Sequence, residues 1–374
     1  MSACEAIRGV LAKLAPHWLE PPVLQPAALY LELSGEDIRR RAFLVSDAEG
    51  GELCLRPDMT VPAVRAAYAL AEPPGIVAYE GRVFRQQPEG STRETEFLQI
   101  GAEWLGRVGI ELEAEIVALA LEACAAAKVV SPVLRLGDVG LRAGFVAACG
   151  LEASWAQRTL HALERPGGLA ALATEIERPA AEGGAGLAAA LAALTPEAAE
   201  AAVADMLAVA DIQSVGGRPT AEIAARLRAR GRLAASAPPS AAQQALLGEL
   251  IAIDAADGLT AAAKLAKSPA LTTPARAAAA VEAAAARAAA LAKRVGKAAG
   301  AARFAPGLGR ALAYYDGFVF ELEAPALGER ASLGGGGRYD GLARALWPAD
   351  RPAAAQLAAA GFALRPARLE AAAA

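Results

Sequence analysis

Hydrophobic and polar residues alternate most clearly over residues 76–106, which read IVAYEGRVFRQQPEGSTRETEFLQIGAEWLG. Two runs with strand character, 76–85 and 96–103, flank a polar segment around Pro88. In the second run Phe97 and Gln99 face one side, and Leu98 and Ile100 face the other. The pattern predicts two antiparallel strands joined by a loop of about ten residues, a length more typical of a binding loop than of a tight turn.

Further elements follow from apolar residues at helical or alternating spacing. Helices are predicted over residues 2–15, 63–70, 114–128 and 141–149, a β-hairpin over 41–45 and 52–55, and a strand over 133–136. Residues 151–300 show no convincing strand and consist of alanine-rich segments broken by glycine and proline, ending in a long helix over 274–299. The chain is therefore expected to have one α+β core, residues 1–150 with 300–374, and an all-helical insertion, residues 151–299.

Composition narrows the function classes. The 374 residues carry a net charge of −4, with a pI near 5.5, which argues against a broad electrostatic grip on nucleic acid. Four scattered cysteines and two histidines do not have the spacing of a metal site, so no bound metal is expected. The cysteines are expected to be reduced thiols. The first residues lack a signal-peptide core, and no apolar run is long enough to span a bilayer, which predicts a cytoplasmic protein.

Polar residues on the predicted hairpin are the first candidates for a binding site. Arg85, Gln99 and Glu103 are separated by even numbers, so they can share a sheet face, and Arg93 lies in the loop between the strands. One interpretation is a pocket, and the other is the solvated face of an antiparallel sheet.

Two other segments also allow more than one interpretation. Asp58 and Thr60 precede a predicted helix and either cap it or bind a ligand. The four glycines 334–337 predict a flexible connection, a tight turn or a phosphate cradle.

Three segments together resemble the class II aminoacyl-tRNA synthetases in their histidyl form. Residues 84–103 are similar to motif 2 of that family, residues 55–60 (LRPDMT) to its LRPEGT segment, and residues 309–321 and 336–341 to its RGLDYYTGTVFE and GGRYD segments. The resemblance covers roughly residues 1–140 and 300–370. It implies a class II synthetase-like antiparallel sheet flanked by helices.

By motif position, the resemblance also implies a histidine pocket. Its residues are Asp58, Thr60, Arg85, Gln99, Glu103, Arg310, Tyr315 and Tyr339. The guanidinium of Arg85 would bind the carboxylate of histidine, because its fork matches a carboxylate. The ammonium group would lie near Asp58, Thr60 and Gln99, and the imidazole near Glu103 and Tyr339.

Departures from the synthetase pattern point to a regulatory paralogue. Arg365, Pro366 and Ala367 replace Gly, Leu and Glu of motif 3, and Gln87 replaces the Glu of motif 2. Asp58 is one methylene shorter than the family's Glu, and Met59 stands where the family has Gly. Only six residues follow Arg368, so no anticodon-binding domain of about 100 residues is expected.

The chain therefore resembles the regulatory subunit of ATP phosphoribosyltransferase. This resemblance implies no activity alone, no catalytic residues, no cofactor, and a short-form catalytic partner in a hetero-octamer that starts histidine biosynthesis under histidine feedback. It also implies a homodimeric core. Two alternatives stay open: a catalytic-core fragment of a histidyl-tRNA synthetase, and a non-catalytic synthetase-like protein that regulates another partner by binding RNA or a different enzyme. Feedback histidine would bind either this pocket or the interface with the catalytic subunit.

Overall fold

The computed structural model describes residues 2–33, 41–49, 51–91, 93–106, 109–163, 172, 185–210, 219–252, 275–295, 302–304, 308, 314–328, 331–352 and 357–374. The strands are β1 (His17–Leu19), β2 (Leu24–Pro26), β3 (Phe43–Ser46), β4 (Glu52–Leu55), β5 (Ile76–Phe84), β6 (Glu96–Leu105), β7 (Val133–Asp138), β8 (Ala302–Phe304), β9 (Phe318–Glu323), β10 (Ser332–Arg338) and β11 (Ala359–Leu364). The α-helices are α1 (Ala3–Ala12), α2 (Ala27–Leu33), α3 (Thr60–Ala69), α4 (Ile110–Ala126), α5 (Val139–Ala148), α6 (Ala153–Leu163), α7 (Ala185–Ala192), α8 (Pro196–Val209), α9 (Thr220–Ala235), α10 (Ala241–Ala252), α11 (Ala275–Val295), α12 (Asp340–Leu346) and α13 (Pro366–Ala373).

The chain divides into two compact units. The first comprises residues 1–144 and 252–374, and the second comprises residues 145–251. The first unit is built on an eight-stranded sheet in the order β1-β5-β6-β11-β10-β9-β7-β8. Its neighbouring strands are antiparallel except at the two edges, where β1 pairs with β5 and β7 pairs with β8 in parallel.

The hairpin predicted from alternation is β5 and β6. Its register pairs Ile76 with Trp104 and Phe84 with Glu96. The second predicted hairpin is β3 and β4, which joins β2 in a three-stranded sheet. Strand β6 is buried on both faces from Gln99 to Leu105, whereas β3 is largely exposed.

The four glycines 334–337 form the middle of strand β10, which pairs with β11 on one side and β9 on the other. A Cβ added at Gly336 would lie 1.9 Å from the Gly361 carbonyl oxygen, and one at Gly334, whose φ is +147°, would lie 2.3 Å from the Ala363 carbonyl oxygen. Neither position has room for a side chain. The flexible connection and the tight turn are therefore wrong at this segment.

The second unit contains helices in its described part. At one of its helix contacts, α9 packs on α7 so closely that a Cβ at Gly231 would lie 2.0 Å from the Ala188 carbonyl oxygen. The unit is shorter than the predicted insertion, since α11 packs against α4 and belongs to the first unit.

An ion network explains why α11 lies in the first unit. The Arg287 guanidinium on α11 donates to the Glu113 carboxylate on α4 and to the Asp138 carboxylate at the end of β7. Both carboxylates are buried, with side-chain exposures of 3% and 6%. Arg338 on β10 approaches the same Glu113 at 3.5 Å. Burial raises the pKa of Glu113, and Arg287 opposes that rise. The network ties α11 to α4 and to the sheet.

In the described part of the chain, no helix combines the length and apolar content that crossing a bilayer requires.

Candidate functional site

One face of β6 and the start of α3 bring together most of the predicted pocket residues. Gln99 and Glu103 lie on the same face of β6 and are 5% and 1% exposed. Between them, Gly101 has no room for a side chain, because a Cβ there would lie 2.2 Å from the Phe362 carbonyl oxygen and 2.8 Å from the Tyr79 hydroxyl. The solvated-face interpretation is therefore wrong, because this side of the hairpin is buried.

The carboxylate of Glu103 is the centre of a hydroxyl cluster. Its Oε1 accepts hydrogen bonds from the hydroxyls of Thr60 and Tyr79, each at 2.7 Å. Its Oε2 accepts from the Tyr339 hydroxyl. Burial raises the pKa of Glu103 to about 7, although these three hydroxyl donors favour the ionised form and oppose the rise.

Asp58 is held at the start of α3. Its Oδ1 accepts from the Val61 backbone N–H at 3.1 Å, and its Oδ2 accepts from the Tyr314 hydroxyl at 3.3 Å. Thr60 donates its hydroxyl to Glu103. Of the two candidate caps, Asp58 is thus the one that bonds an amide of the first turn. This leaves its proposed contact with a ligand as a prediction.

Arg85 and Gln99 fix the segment between β4 and α3. Arg85 Nε donates to the Pro57 carbonyl oxygen at 2.7 Å, and Gln99 Oε1 accepts from the Met59 N–H at 3.2 Å. The Arg85 guanidinium also lies over the Phe97 ring, 5.3 Å from its centroid. The segment that resembles LRPEGT is therefore tied directly to motif 2.

Three tyrosines form the aromatic wall of the site. The ring centroids of Tyr314 and Tyr315 are 4.8 Å apart, and Tyr339 lies 5.8 Å from Tyr314 and 6.2 Å from Tyr315. Burial and the nearby carboxylates raise the pKa of Tyr314 and of Tyr339 well above its usual value. Arg310, the remaining predicted pocket residue, lies outside the described residues.

The structure therefore brings together Asp58, Thr60, Gln99, Glu103, Tyr315 and Tyr339 around one cluster, with Arg85 beside it. Sequence reasoning missed Tyr79 and Tyr314, both buried in the cluster. A signal for Tyr79 exists in the register, since it pairs with Gly101 across β5 and β6 and fills the space that this glycine leaves.

Comparison with known proteins places the chain in a family. The sequence matches the family described as histidyl-tRNA synthetase over residues 17–235 and 223–369. It is 35% identical over 347 residues to a protein of Brucella anthropi named ATP phosphoribosyltransferase regulatory subunit, covering 90% of this chain and 89% of that protein. The protein of the same name from Brucella canis is 34% identical over 353 residues, with the same coverage. The chain belongs to the ATP phosphoribosyltransferase regulatory subunit family. The resemblance stated from the motifs is confirmed.

The solved structures similar to this regulatory-subunit family member show the same fold. An ATP phosphoribosyltransferase regulatory subunit/histidyl-tRNA synthetase from Bacillus halodurans has a TM-score of 0.61 at 19% identity, covering 100% of this chain and 78% of that one. A histidine–tRNA ligase subunit from Alicyclobacillus acidocaldarius has a TM-score of 0.61 at 22% identity, covering 99% and 91%. The predicted class II synthetase-like α+β fold is confirmed.

Arg365 is the departure from motif 3 that the structure explains most directly. In this member of the regulatory-subunit family, its guanidinium lies over the Phe97 ring, 4.2 Å from the centroid. Phe97 thus has two guanidiniums near it, from Arg85 and Arg365. A long cationic side chain occupies the ring face beside motif 2, where the synthetase motif has a glycine.

Among the described residues, no group of His, Cys, Asp or Glu side chains is arranged to hold a metal ion.

Proposed function

We propose that this chain is the regulatory subunit of an ATP phosphoribosyltransferase, required for the first step of histidine biosynthesis and for its feedback regulation by histidine. The observation that carries this proposal is the 35% identity, over 90% of the chain, to a protein of that name. We propose the cytoplasm as its location and a short-form catalytic subunit as its partner in a hetero-octamer. Neither nucleic acid nor membrane is part of this proposal.

We further propose that feedback histidine binds the cluster around Glu103. Support comes from burial of its polar residues: Asp58, Arg85, Gln99 and Glu103 are each less than 7% exposed. Carboxylates and a guanidinium in one buried cluster match the two charges of an amino acid. Arg310 completes the proposed set by motif position. The competing location for histidine is the interface with the catalytic subunit.

The chain is expected to form no histidyl-adenylate. Arg365 packs on Phe97. Gln87 donates to the Glu94 carbonyl oxygen at 2.9 Å and accepts from the Arg41 side chain at 3.1 Å. Histidine-dependent exchange of pyrophosphate into ATP measures this directly. Purified chain should give only background exchange, with a histidyl-tRNA synthetase as the positive control. Exchange above background would favour the synthetase-fragment alternative.

A homodimeric core is part of the proposal, and exposed apolar residues support it. Five of the six large apolar side chains exposed on the described part of the first unit lie within residues 18–45: Trp18, Val23, Leu24, Leu44 and Val45. They lie on or beside β1, an edge strand of the large sheet, and β2 and β3, the edges of the small sheet. Exposed apolar clusters and open strand edges are typical of protein interfaces.

Light scattering tests this assembly. Alone, at micromolar concentration, the chain should have twice its 38.0 kDa mass, and with a short-form catalytic subunit it should co-elute as a larger complex.

Trp18→Asp should give the monomer mass, because Trp18 is 44% exposed on the edge strand. Val130→Asp is the matched control, since Val130 is 77% exposed outside this region. A monomer in the parent chain, or equal masses for both variants, would contradict the proposed interface. Failure to co-elute would contradict the proposed partner.

A further inference from the structure

A cavity of about 460 Å³ lies in the first unit. None of the seven described residues predicted for the histidine pocket lines it. It opens where the end of β7, the start of β9 and the end of β10 meet, because β9 is antiparallel to both of its neighbours. Its charged wall residues are Asp138, Arg287, Asp316, Arg338, Asp340 and Arg344.

Two of the three aspartates use both of their oxygens within the wall. Asp138 accepts from the Leu141 N–H at 2.8 Å and from Arg287. Asp316 accepts from the first two backbone N–H groups of α12, at 3.0 and 2.6 Å. Each oxygen of these two carboxylates therefore already accepts a hydrogen bond from within the protein.

The third aspartate is engaged in the same way. Asp340 accepts from the Ala359 N–H at 3.1 Å through Oδ1, and both of its oxygens accept from Arg338 Nε, at 3.1 and 3.0 Å. Every carboxylate oxygen of the three aspartates thus has a described donor.

The arginines differ, because each guanidinium has five N–H groups to donate. Arg344 is 61% exposed, and its described ion pair, with Asp316, is long at 4.0 Å. Arg287 donates one bond to each of two carboxylates. The cavity therefore presents more donors than acceptors, although its three arginines and three aspartates balance in formal charge.

We propose that this cavity binds a small oxyanion, the phosphate or carboxylate group of a metabolite, with Arg344 as its principal ligand and Arg287 and Arg338 behind it. Guanidinium groups suit both kinds of oxyanion because their paired N–H groups match two oxygens. The N-terminus of α5 lies on the same wall, at Gly140 and Leu141, and the Asp138 carboxylate already accepts the Leu141 N–H there. The volume is that of a small-molecule pocket. Since net charge contributes little, binding on the order of millimolar is expected.

The test is a titration of the full chain with inorganic phosphate or acetate, against chloride at equal ionic strength, followed by the melting temperature and by calorimetry. If the site exists, the melting temperature should rise to a plateau with phosphate, with acetate or with both. The anion that is effective shows whether the site binds a phosphate or a carboxylate group. Arg344→Ala should weaken the binding about tenfold or more, because a charge-assisted bidentate contact is lost. Its exposure makes it dispensable for folding, which circular dichroism checks.

Arg303→Ala is the matched control, since Arg303 is exposed on β8 and does not line the cavity. It should bind like the parent, and Arg344→Lys should retain part of the affinity. A general salting effect would raise the melting temperature of all variants equally and without saturation. That outcome, or no heat of binding with either anion, would overturn the site.

Discussion

Adding this chain to a short-form ATP phosphoribosyltransferase from the same source is expected to raise the rate at which ATP is joined to phosphoribosyl pyrophosphate, and to make that rate sensitive to histidine. Histidine inhibits only if it binds one state of the complex more tightly than another, so inhibition and binding must be linked. Initial rates at varied histidine, with and without the chain, measure both effects. No activation by the intact chain would contradict the regulatory function itself.

Within this assay, Arg85→Ala should raise the histidine concentration that gives half-maximal inhibition about ten- to a hundredfold. This is the equivalent of roughly 1.5–3 kcal/mol for one charge-assisted contact. Arg85 is 6% exposed and contacts Phe97 and Pro57 next to the cluster. Activation of the partner should survive, because it depends on the subunit interface.

Arg82→Ala provides the matched control, because Arg82 lies on β5 three residues before Arg85. Arg82 points to solvent, where it pairs with Glu96 at 3.1 Å, and its loss should leave the curve in place. If Arg85→Ala also leaves the curve in place while its circular dichroism matches the parent, the feedback site lies at the subunit interface.

Arg287→Met should lower the free energy of unfolding by about 3–5 kcal/mol, since it removes the guanidinium that pairs with two buried carboxylates. Glu113 and Asp138 have side-chain exposures of 3% and 6%, so both carboxylates are largely desolvated when the guanidinium is lost. A loss of that size is a large part of the roughly 5–15 kcal/mol that stabilises a typical domain. Urea unfolding followed by circular dichroism measures it.

The pH dependence distinguishes lost charge pairing from lost packing. Burial raises the pKa of Glu113 in the folded chain, and removing Arg287 should raise it further. An acid whose pKa is raised in the folded state destabilises the fold when it ionises. The stability that Arg287→Met loses relative to the parent should therefore be small at acidic pH and should grow as the pH rises through the pKa of Glu113 in the folded chain. Arg8→Met is the control, because the Arg8–Glu80 pair is exposed and should contribute little. A deficit that does not change with pH would contradict this explanation.

Local pattern predicts the strands that carry the site and which of their residues share a face, but it does not predict that this face is buried. Alternation places Gln99 and Glu103 on one face of β6, and both are buried there. Tyr79 is different. Its strand is visible from the sequence, but its contact with Glu103 depends on the register between β5 and β6 and on the space left by Gly101.

Two other features depend wholly on tertiary contacts. Glycine has low strand propensity, so residues 334–337 look like a turn until β9 and β11 provide partners on both sides. Likewise, α11 looks like part of the insertion until Arg287 meets Glu113 and Asp138, which are distant in sequence. Contacts between residues this far apart in the sequence leave no periodic pattern of hydrophobic and polar residues.

The position of β11 has a consequence for biosynthesis. This strand, residues 359–364, lies in the middle of the large sheet between β6 and β10. During translation, the hydrogen-bonding edges of β6 and β10 that pair with β11 therefore stay open until residues 359–364 have been made. Pairing across such sequence distances is slow, and open edges invite aggregation in the meantime. A nascent chain that stops before Ala359 would hold two half-sheets, β1-β5-β6 and β10-β9-β7-β8, with no strand to join them.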